Sequence, residues 1–178
     1  MYISEIKESK PETFSTEVQE SIYATMERCG MHFRRVENDP AITVDECEEI
    51  SAKLQSPTVK SLLTANRQLT KFYLIVMPGH KPFVTRDFTA AMGVSRVSFV
   101  KPEILKEKLG VEVGAATPLA LTADTDCSIR LILDEELRFR ERMLLPDGTT
   151  GCYLDVATAD FLNLYLPLTG HIAEWAKM

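Results

Sequence analysis

The chain has 178 residues, of which 45% are hydrophobic and 26% are charged, and its formal net charge is −6 at pH 7. This length can bury one sizeable core but is too short for two ordinary domains, and the negative charge argues against a protein that coats nucleic acid through a basic surface. We expect residues 1–13 to form a flexible leader and residues 14–178 to form a single domain.

The first half of the chain predicts two capped helices and three strands. Thr16 and Gln19 form a capping box ahead of a helix that runs to about Gly30, and Thr43 and Glu46 form a second one ahead of a helix that ends near Leu54. The predicted strands are 32–36, 58–64 and 71–77, of which the last two form a hairpin. The last strand is apolar on both faces, so it should be central.

The second half predicts short helices and strands without a regular βαβ alternation. Helices are predicted at 86–92 and 102–109 and from about Thr158 onward. Strands are predicted at 97–100, 119–122, 128–134, 139–144 and 152–156. Runs of strands between short helices predict an α+β fold with a mixed or antiparallel sheet.

Several function classes lack their signatures. The longest apolar stretches are far shorter than the ~20 residues of a membrane helix, and the N-terminus does not resemble a secretory signal, so we expect a cytoplasmic protein with no membrane contact. The four cysteines form no C-x-x-C pair, which predicts no zinc site and no redox motif. Phosphate-binding glycine loops, H-E-x-x-H and G-x-S-x-G are also absent, so no cofactor is expected.

Four segments carry a resemblance to a known family. They are 36–46 with Thr43-Val44, 59–63 with Lys60 before a small polar residue, 93–99, and 114–121 with the G-x-x-x-P loop Gly114 to Pro118. In this order they resemble the YbaK/prolyl-tRNA synthetase-associated editing-domain family over about residues 20–172, and in particular its free-standing prolyl-tRNA editing members.

The resemblance implies a fold, a reaction and partners. The fold would have a mixed, partly barrel-like sheet flanked by short helices. The reaction would be trans-editing, the metal-independent hydrolysis of the ester of a mischarged tRNA, most often alanine on the proline tRNA. The partner would be the acceptor end of that tRNA, with prolyl-tRNA synthetase as a further candidate.

Lys60 and Gly114 are the candidate catalytic residues. An ammonium held by a strand can donate to the ester, the ribose or a phosphate, and a glycine-rich loop can present backbone N–H groups to developing negative charge. The candidate substrate-binding residues are Thr43, Val44, Ala115, Ala116, Thr117, Pro118 and Thr150. Structural alternatives exist for each feature: strand alternation would leave Lys60 solvated, the loop could be a tight connection, and Thr43 is a good helix N-cap.

One stretch departs from the family pattern and keeps other functions open. Editing proteins of this kind usually have H-P-x-x-N before the last strand, whereas this chain has Leu144 to Gly151 without the histidine or asparagine. The departure favours a non-catalytic relative that binds tRNA, a synthetase or aminoacyl-adenosine. A hydrolase of another acylated small molecule is a third alternative, against which a basic patch beside Lys60 would argue. His32, His80 and His171 are expected to be surface or loop residues.

Overall fold

In the computed structural model, which describes residues 1–178, eight strands form two sheets. The strands are β1 (Phe33–Glu37), β2 (Val59–Asn66), β3 (Phe72–Pro78), β4 (Val97–Phe99), β5 (Ile129–Asp134), β6 (Arg142–Pro146), β7 (Cys152–Ala157) and β8 (Ala173–Ala176). An antiparallel sheet has the order β1-β7-β6, and a mixed sheet has the order β4-β2-β3-β5-β8. A parallel bridge between Thr58 and Leu144 joins the two sheets, and neither closes into a barrel. The predicted mixed-sheet α+β fold is confirmed.

Six short helices surround the sheets. They are α1 (Glu17–Cys29), α2 (Val44–Leu54), α3 (Thr85–Met92), α4 (Pro102–Leu109), α5 (Thr158–Asp160) and α6 (Leu166–Thr169), with a π-helical stretch Phe161–Tyr165 between the last two. Two 3-10 helices, Pro118–Ala123 and Glu135–Phe139, flank β5. None of the helices has the length and apolar character needed to cross a bilayer.

Thr16 and Thr43 are the N-cap residues of α1 and α2, as the sequence predicts. The Thr16 hydroxyl accepts from the Gln19 N–H at 3.1 Å, and the Gln19 side chain accepts from the preceding Ser15 N–H at 2.7 Å. At α2 the box is reciprocal, because Thr43 accepts from the Glu46 N–H and the Glu46 carboxylate accepts from the Thr43 N–H. These bonds satisfy amide donors that a helix start leaves unpaired.

Apolar side chains fill three layers. The main core lies between the two sheets and receives α1, α4 and the Pro118–Ala123 helix. A smaller cluster lies where α2 covers the outer face of the three-stranded sheet, and another where α3 covers the five-stranded sheet. Alternate residues of β3 enter the main core and the cluster under α3, and the strand lies between β2 and β5. Its predicted central position is confirmed.

Residues 119–122 form a helical turn, and the prediction of a strand there was wrong. The Thr117 hydroxyl caps this turn by accepting from the Leu119 N–H, and Pro118 fixes φ at its first position. The buried Tyr165 hydroxyl then donates to the Leu119 carbonyl at 2.6 Å. Local capping therefore outweighs the β-propensity of these apolar residues.

Three further segments differ from the sequence-based expectation. Residues 1–13 lie partly along β1, where the N–H groups of Ser4 and Lys7 donate to the carbonyls of Glu37 and Arg35. The strand predicted at 139–144 begins only at Arg142, because Asp134 caps the preceding 3-10 helix. Strand β8 was not predicted, since its edge position is defined only by pairing with β5.

Candidate active site

A cleft of about 450 Å³ lies along the outer edge of β2. Strand β4 pairs with Thr64–Asn66 alone, so the edge of β2 from Lys60 to Leu62 has no neighbouring strand on that side. The start of α2, the end of β4 and the 113–116 loop surround this open edge. The lining residues are mostly apolar and include Ile42, Val44, Leu62, Phe99, Val100, Val113, Ala116 and Tyr153. The fold therefore builds a small apolar cleft where a sheet edge would otherwise meet solvent.

Lys60 carries the only formal charge among the cleft-lining side chains. It is half-buried and makes no ion pair, and its partial burial lowers the pKa of its ammonium. Removal of water from an unpaired cation strengthens its attraction to any negative charge that enters the cleft. Lys60 is thus placed to donate to an anionic group of a ligand.

Ser61 lines the same cleft on the opposite face of the strand. Its hydroxyl oxygen is buried and has no hydrogen-bond partner in the protein. Buried hydroxyls are usually bonded, but this group is an unpaired polar atom within the cleft wall, below the surface that a ligand would contact. In the sequence Ser61 belongs to the motif that follows Lys60, and no local pattern marks its hydroxyl as buried and unpaired.

Thr43 and Val44 also line the cleft, at the first turn of α2. The Thr43 hydroxyl is engaged in capping, so it combines a structural role with a position at the cleft. Hydrogen bonds from the N–H groups of Thr43 and Ile42 lower the pKa of the Glu46 carboxyl, which keeps the box charged. The cap thereby fixes the cleft wall formed by Ile42.

Gly114 occupies a position that only glycine fits without strain. Its φ is +88°, and a Cβ built there would lie 2.9 Å from both Cγ atoms of Ile42. Ala116, two residues later, lines the cleft. The loop therefore approaches the α2 start closely and brings Gly114 and Lys60 to one site.

Four predicted site residues lie outside the cleft lining. Ala115 is buried and its N–H donates to the Glu112 carbonyl at 3.0 Å, while Thr117 and Pro118 are buried at the start of the 3-10 helix. The Thr150 carbonyl accepts from the Ala41 N–H at 3.0 Å and so supports the loop before α2. These residues hold the walls in place and do not contact the cavity.

The cleft offers hydrogen-bond donors but no ionised base. Cys47 and Tyr153 line it, and burial raises the pKa of the thiol and of the phenol, so both are neutral at pH 7. The thiol donates to the phenol oxygen at 3.2 Å, and the phenol donates to the Ala41 carbonyl at 3.1 Å. No carboxylate or imidazole is among the lining residues. The arrangement can therefore stabilise an anion but holds no evident proton acceptor.

The family model of the aminoacyl-tRNA editing domain matches residues 39–164, which include Lys60, Gly114 and every cleft-lining residue. The chain belongs to the aminoacyl-tRNA editing domain family. Among similar proteins, the prolyl-tRNA editing protein ProX of Acetoanaerobium sticklandii is 21% identical over 121 residues, which cover 68% of this chain and 74% of ProX. The prolyl-tRNA synthetase associated domain-containing protein 1 of Danio rerio is 24% identical over 148 residues, or 82% of this chain and 79% of that protein.

Solved structures share the fold of this editing domain. A proposed trans-editing enzyme for prolyl-tRNA synthetase superposes with a TM-score of 0.69 and 20% identity, over 93% of this chain and 99% of the other. The hypothetical protein APE2540 gives a TM-score of 0.68 and 21% identity, over 87% of this chain and 97% of the other. At this identity the likeness concerns the fold alone.

The stretch that departs from the editing-family pattern turns inward after Pro146. Pro146 lines the cleft, but Asp147 is fully buried and accepts from the Gln19 amide at 2.8 Å and the Tyr23 hydroxyl at 2.9 Å. The Thr149 hydroxyl donates to the same carboxylate at 2.7 Å. This stretch therefore anchors α1 and adds no free side-chain donor to the cleft.

His171 lies in the loop between α6 and β8, as expected, but it is not a surface residue. His171 is buried, and its Nε2 lies 2.7 Å from Asp124 Oδ2 while its Nδ1 lies 2.9 Å from the Thr169 hydroxyl. Neither His171 nor Asp124 lines the cleft. The exposed side chains of Asp45, Glu48 and His80 bring ligand-type atoms within 4.8 Å of one another, and all three also lie outside the cleft lining.

Proposed function

We propose that this protein is a trans-editing deacylase that hydrolyses the ester of a mischarged tRNA, with alanyl-tRNA of the proline type as its first candidate substrate. The observation that carries the proposal is an unpaired, half-buried Lys60 as the only charge in an apolar cleft. Membership of the aminoacyl-tRNA editing domain family supports the substrate class. The similar ProX protein, named for prolyl-tRNA editing, supports the choice of tRNA.

The size and lining of the cleft suit a small acyl group. A volume of about 450 Å³ is at the lower end of ligand pockets, and it must also admit part of the terminal ribose. Side chains of Ile42, Val44 and Leu62 offer apolar contact to a methyl group. Larger amino acids would be excluded by their volume, which discriminates better than favourable binding does.

In the proposed reaction, Lys60 stabilises the negative charge that develops on the ester carbonyl. An ammonium in a partly dry cleft acts more strongly on this charge than it would in water. Because Cys47 and Tyr153 are neutral, the ribose hydroxyl next to the ester is the better candidate to activate the attacking water.

The test is release of labelled amino acid from a panel of mischarged tRNAs, beginning with alanyl-tRNA of the proline type. Lys60→Ala and Lys60→Met should each lower kcat/KM by about 10²- to 10³-fold, because both remove the charge and the second retains most of the side-chain volume. Lys177→Ala, which removes an exposed lysine outside the cleft, is the matched control. Equal activity of Lys60→Met and the wild type would refute a catalytic role of the charge.

A non-catalytic function is the second candidate. It is favoured by the bonding of Asp147 and Thr149, which leaves the departing stretch without a free donor at the cleft. In that case the protein would bind aminoacyl-tRNA or aminoacyl-adenosine through Lys60 and leave the ester intact. Intact esters across the panel, together with retained tRNA binding, would favour this function.

A further inference from the structure

Positive charge is concentrated in one stretch of this acidic chain. Residues 50–102 contain eight Lys or Arg side chains and a single acid, Asp87, which gives this stretch a formal charge of +7. Since the whole chain carries −6, the remaining residues carry −13. The stretch comprises the end of α2 together with β2, β3, α3 and β4, and its three strands are neighbours in one half of the mixed sheet.

Four of these cations form a basic face along β2 and β4, which we define as Arg67, Lys71, Arg96 and Lys101. All four are exposed and none makes an ion pair. Other cations of the stretch are neutralised: Lys53 contacts Glu5 at 3.4 Å, and Lys81 contacts Asp134 at 2.8 Å. Glu103 lies two residues after Lys101 and makes no ion pair with it. The basic face is therefore an uncompensated patch.

Strand register connects this basic face to the cleft. Asn66 is paired with Val97, which places Arg67 and Arg96 next to each other, and the Asn66 N–H donates to the carbonyl of Lys71. At the other end of β4, Lys101 follows Val100, which lines the cleft. From Lys60 to Arg67 the strand advances about 23 Å at the usual rise per residue. A chain of cations thus runs from inside the cleft along the sheet edge.

We propose that this basic face docks the phosphate backbone of the tRNA acceptor stem while the aminoacylated 3′ end enters the cleft. The inference rests on the proposed function and adds the surface and orientation of the RNA. Phosphates near the ester must lie beside the cleft mouth, where Lys101 stands, and the following phosphates match the more distant cations. The high charge density of an RNA backbone suits a row of unpaired cations better than an acidic protein surface does.

The test compares two double variants that change the net charge equally. Arg96→Ala/Lys101→Ala removes two cations of the basic face, whereas Arg28→Ala/Lys177→Ala removes two exposed cations, also without ion pairs, from other surfaces. Binding of an uncharged proline tRNA transcript is measured by fluorescence anisotropy across a salt series. The first variant should bind roughly tenfold more weakly, and its salt slope should fall by about 1.4 to 1.8. The second variant should bind like the wild type.

A second readout separates this inference from the proposed function. If the wild type hydrolyses esters, Arg96→Ala/Lys101→Ala should raise KM for alanyl-tRNA but leave hydrolysis of alanyl-adenosine unchanged, since the small ester reaches only the cleft. Absence of hydrolysis of both substrates by the wild type would refute deacylation, while the binding measurement would still test the basic face. Equal loss of tRNA binding in both double variants, or no tRNA binding by the wild type, would overturn the inference.

Discussion

Replacement of Gly114 by alanine should disturb both the stability and the cleft. The residue has φ of +88°, and a left-handed conformation costs an L-residue roughly 1–2 kcal/mol. The new Cβ would also lie 2.9 Å from two Ile42 atoms, so Ile42 must move. Ile42 is 57% exposed and lines the cleft, so it can shift but will change the cleft shape as it does.

Gly30 provides the matched control for the backbone cost. Its φ is +68°, but a Cβ there meets nothing within 4 Å, so Gly30→Ala isolates the left-handed strain. For a chain of this size we expect Gly30→Ala to lower Tm by about 2–8 °C, and Gly114→Ala to lower it further. Gly114→Ala should also reduce kcat/KM for the ester, whereas Gly30→Ala should not.

A double-mutant cycle identifies the contact responsible. Adding Ile42→Ala to Gly114→Ala removes the two 2.9 Å contacts and leaves the Ile42 Cβ at 3.2 Å. The double variant should therefore recover much of the extra loss of stability, and the coupling energy should be favourable. Urea unfolding of the four proteins in the cycle measures this coupling. Equal destabilisation by Gly114→Ala and Gly30→Ala, without coupling to Ile42, would refute the close approach of the loop to α2.

Three other predictions concern separate parts of the molecule. Phe99 is 62% exposed at the cleft, and its ring lies 5.8 Å from that of Phe83. Phe99→Ala should therefore raise KM for alanyl-tRNA at least roughly fivefold, because a base of the tRNA loses its stacking partner. Phe139→Ala, which removes an 88% exposed aromatic ring outside the cleft, should have no effect on KM. Burial raises the pKa of Asp124, but hydrogen bonds from His171, the Ile129 N–H and Ser128 outweigh it and hold that pKa below its ordinary value. The stability that these bonds contribute should be present above about pH 3.9 and lost as the pH falls through the lowered pKa of Asp124. Asp124→Asn should therefore lower the free energy of unfolding in urea by roughly 2 kcal/mol at pH 7 and by progressively less in acid. A cost that stays constant across this pH range would contradict the assignment. Iodoacetamide at pH 8 should label exposed Cys127 before Cys47 and Cys152, because burial raises the pKa of the two latter thiols. The order of labelling is read by mass spectrometry. Early labelling of Cys47 would show that α2 moves away from the cleft.

Local signals in the sequence predicted much of the fold. Thr16 and Thr43 mark helix starts because capping depends on residues within one turn, and β3 reads as central because both of its faces are apolar. The failures arise where distant partners decide the structure. Strand β8 needs β5 as its neighbour, and the buried position of His171 depends on Asp124, which is 47 residues earlier.

The candidate site also combines residues that a local motif marks with residues that only the tertiary structure brings together. Lys60 and Gly114 stand in short motifs, and the structure brings both to one cleft. Ile42, Phe99 and Tyr153 complete that cleft from three distant elements, and no local pattern marks them. The orphan hydroxyl of Ser61 is likewise visible only once the unpaired edge of β2 is known.

The uneven charge distribution explains how an acidic protein could select one orientation of an RNA. In the proposed complex, phosphates are attracted to a stretch with formal charge +7 and repelled by the rest of the chain, which carries −13. Attraction on one face raises the rate of productive encounter, while repulsion elsewhere suppresses nonspecific coating. Both effects act over about 10 Å at moderate ionic strength. The RNA would therefore be guided only when its acceptor end already faces the cleft, and this orientation presents the ester to Lys60.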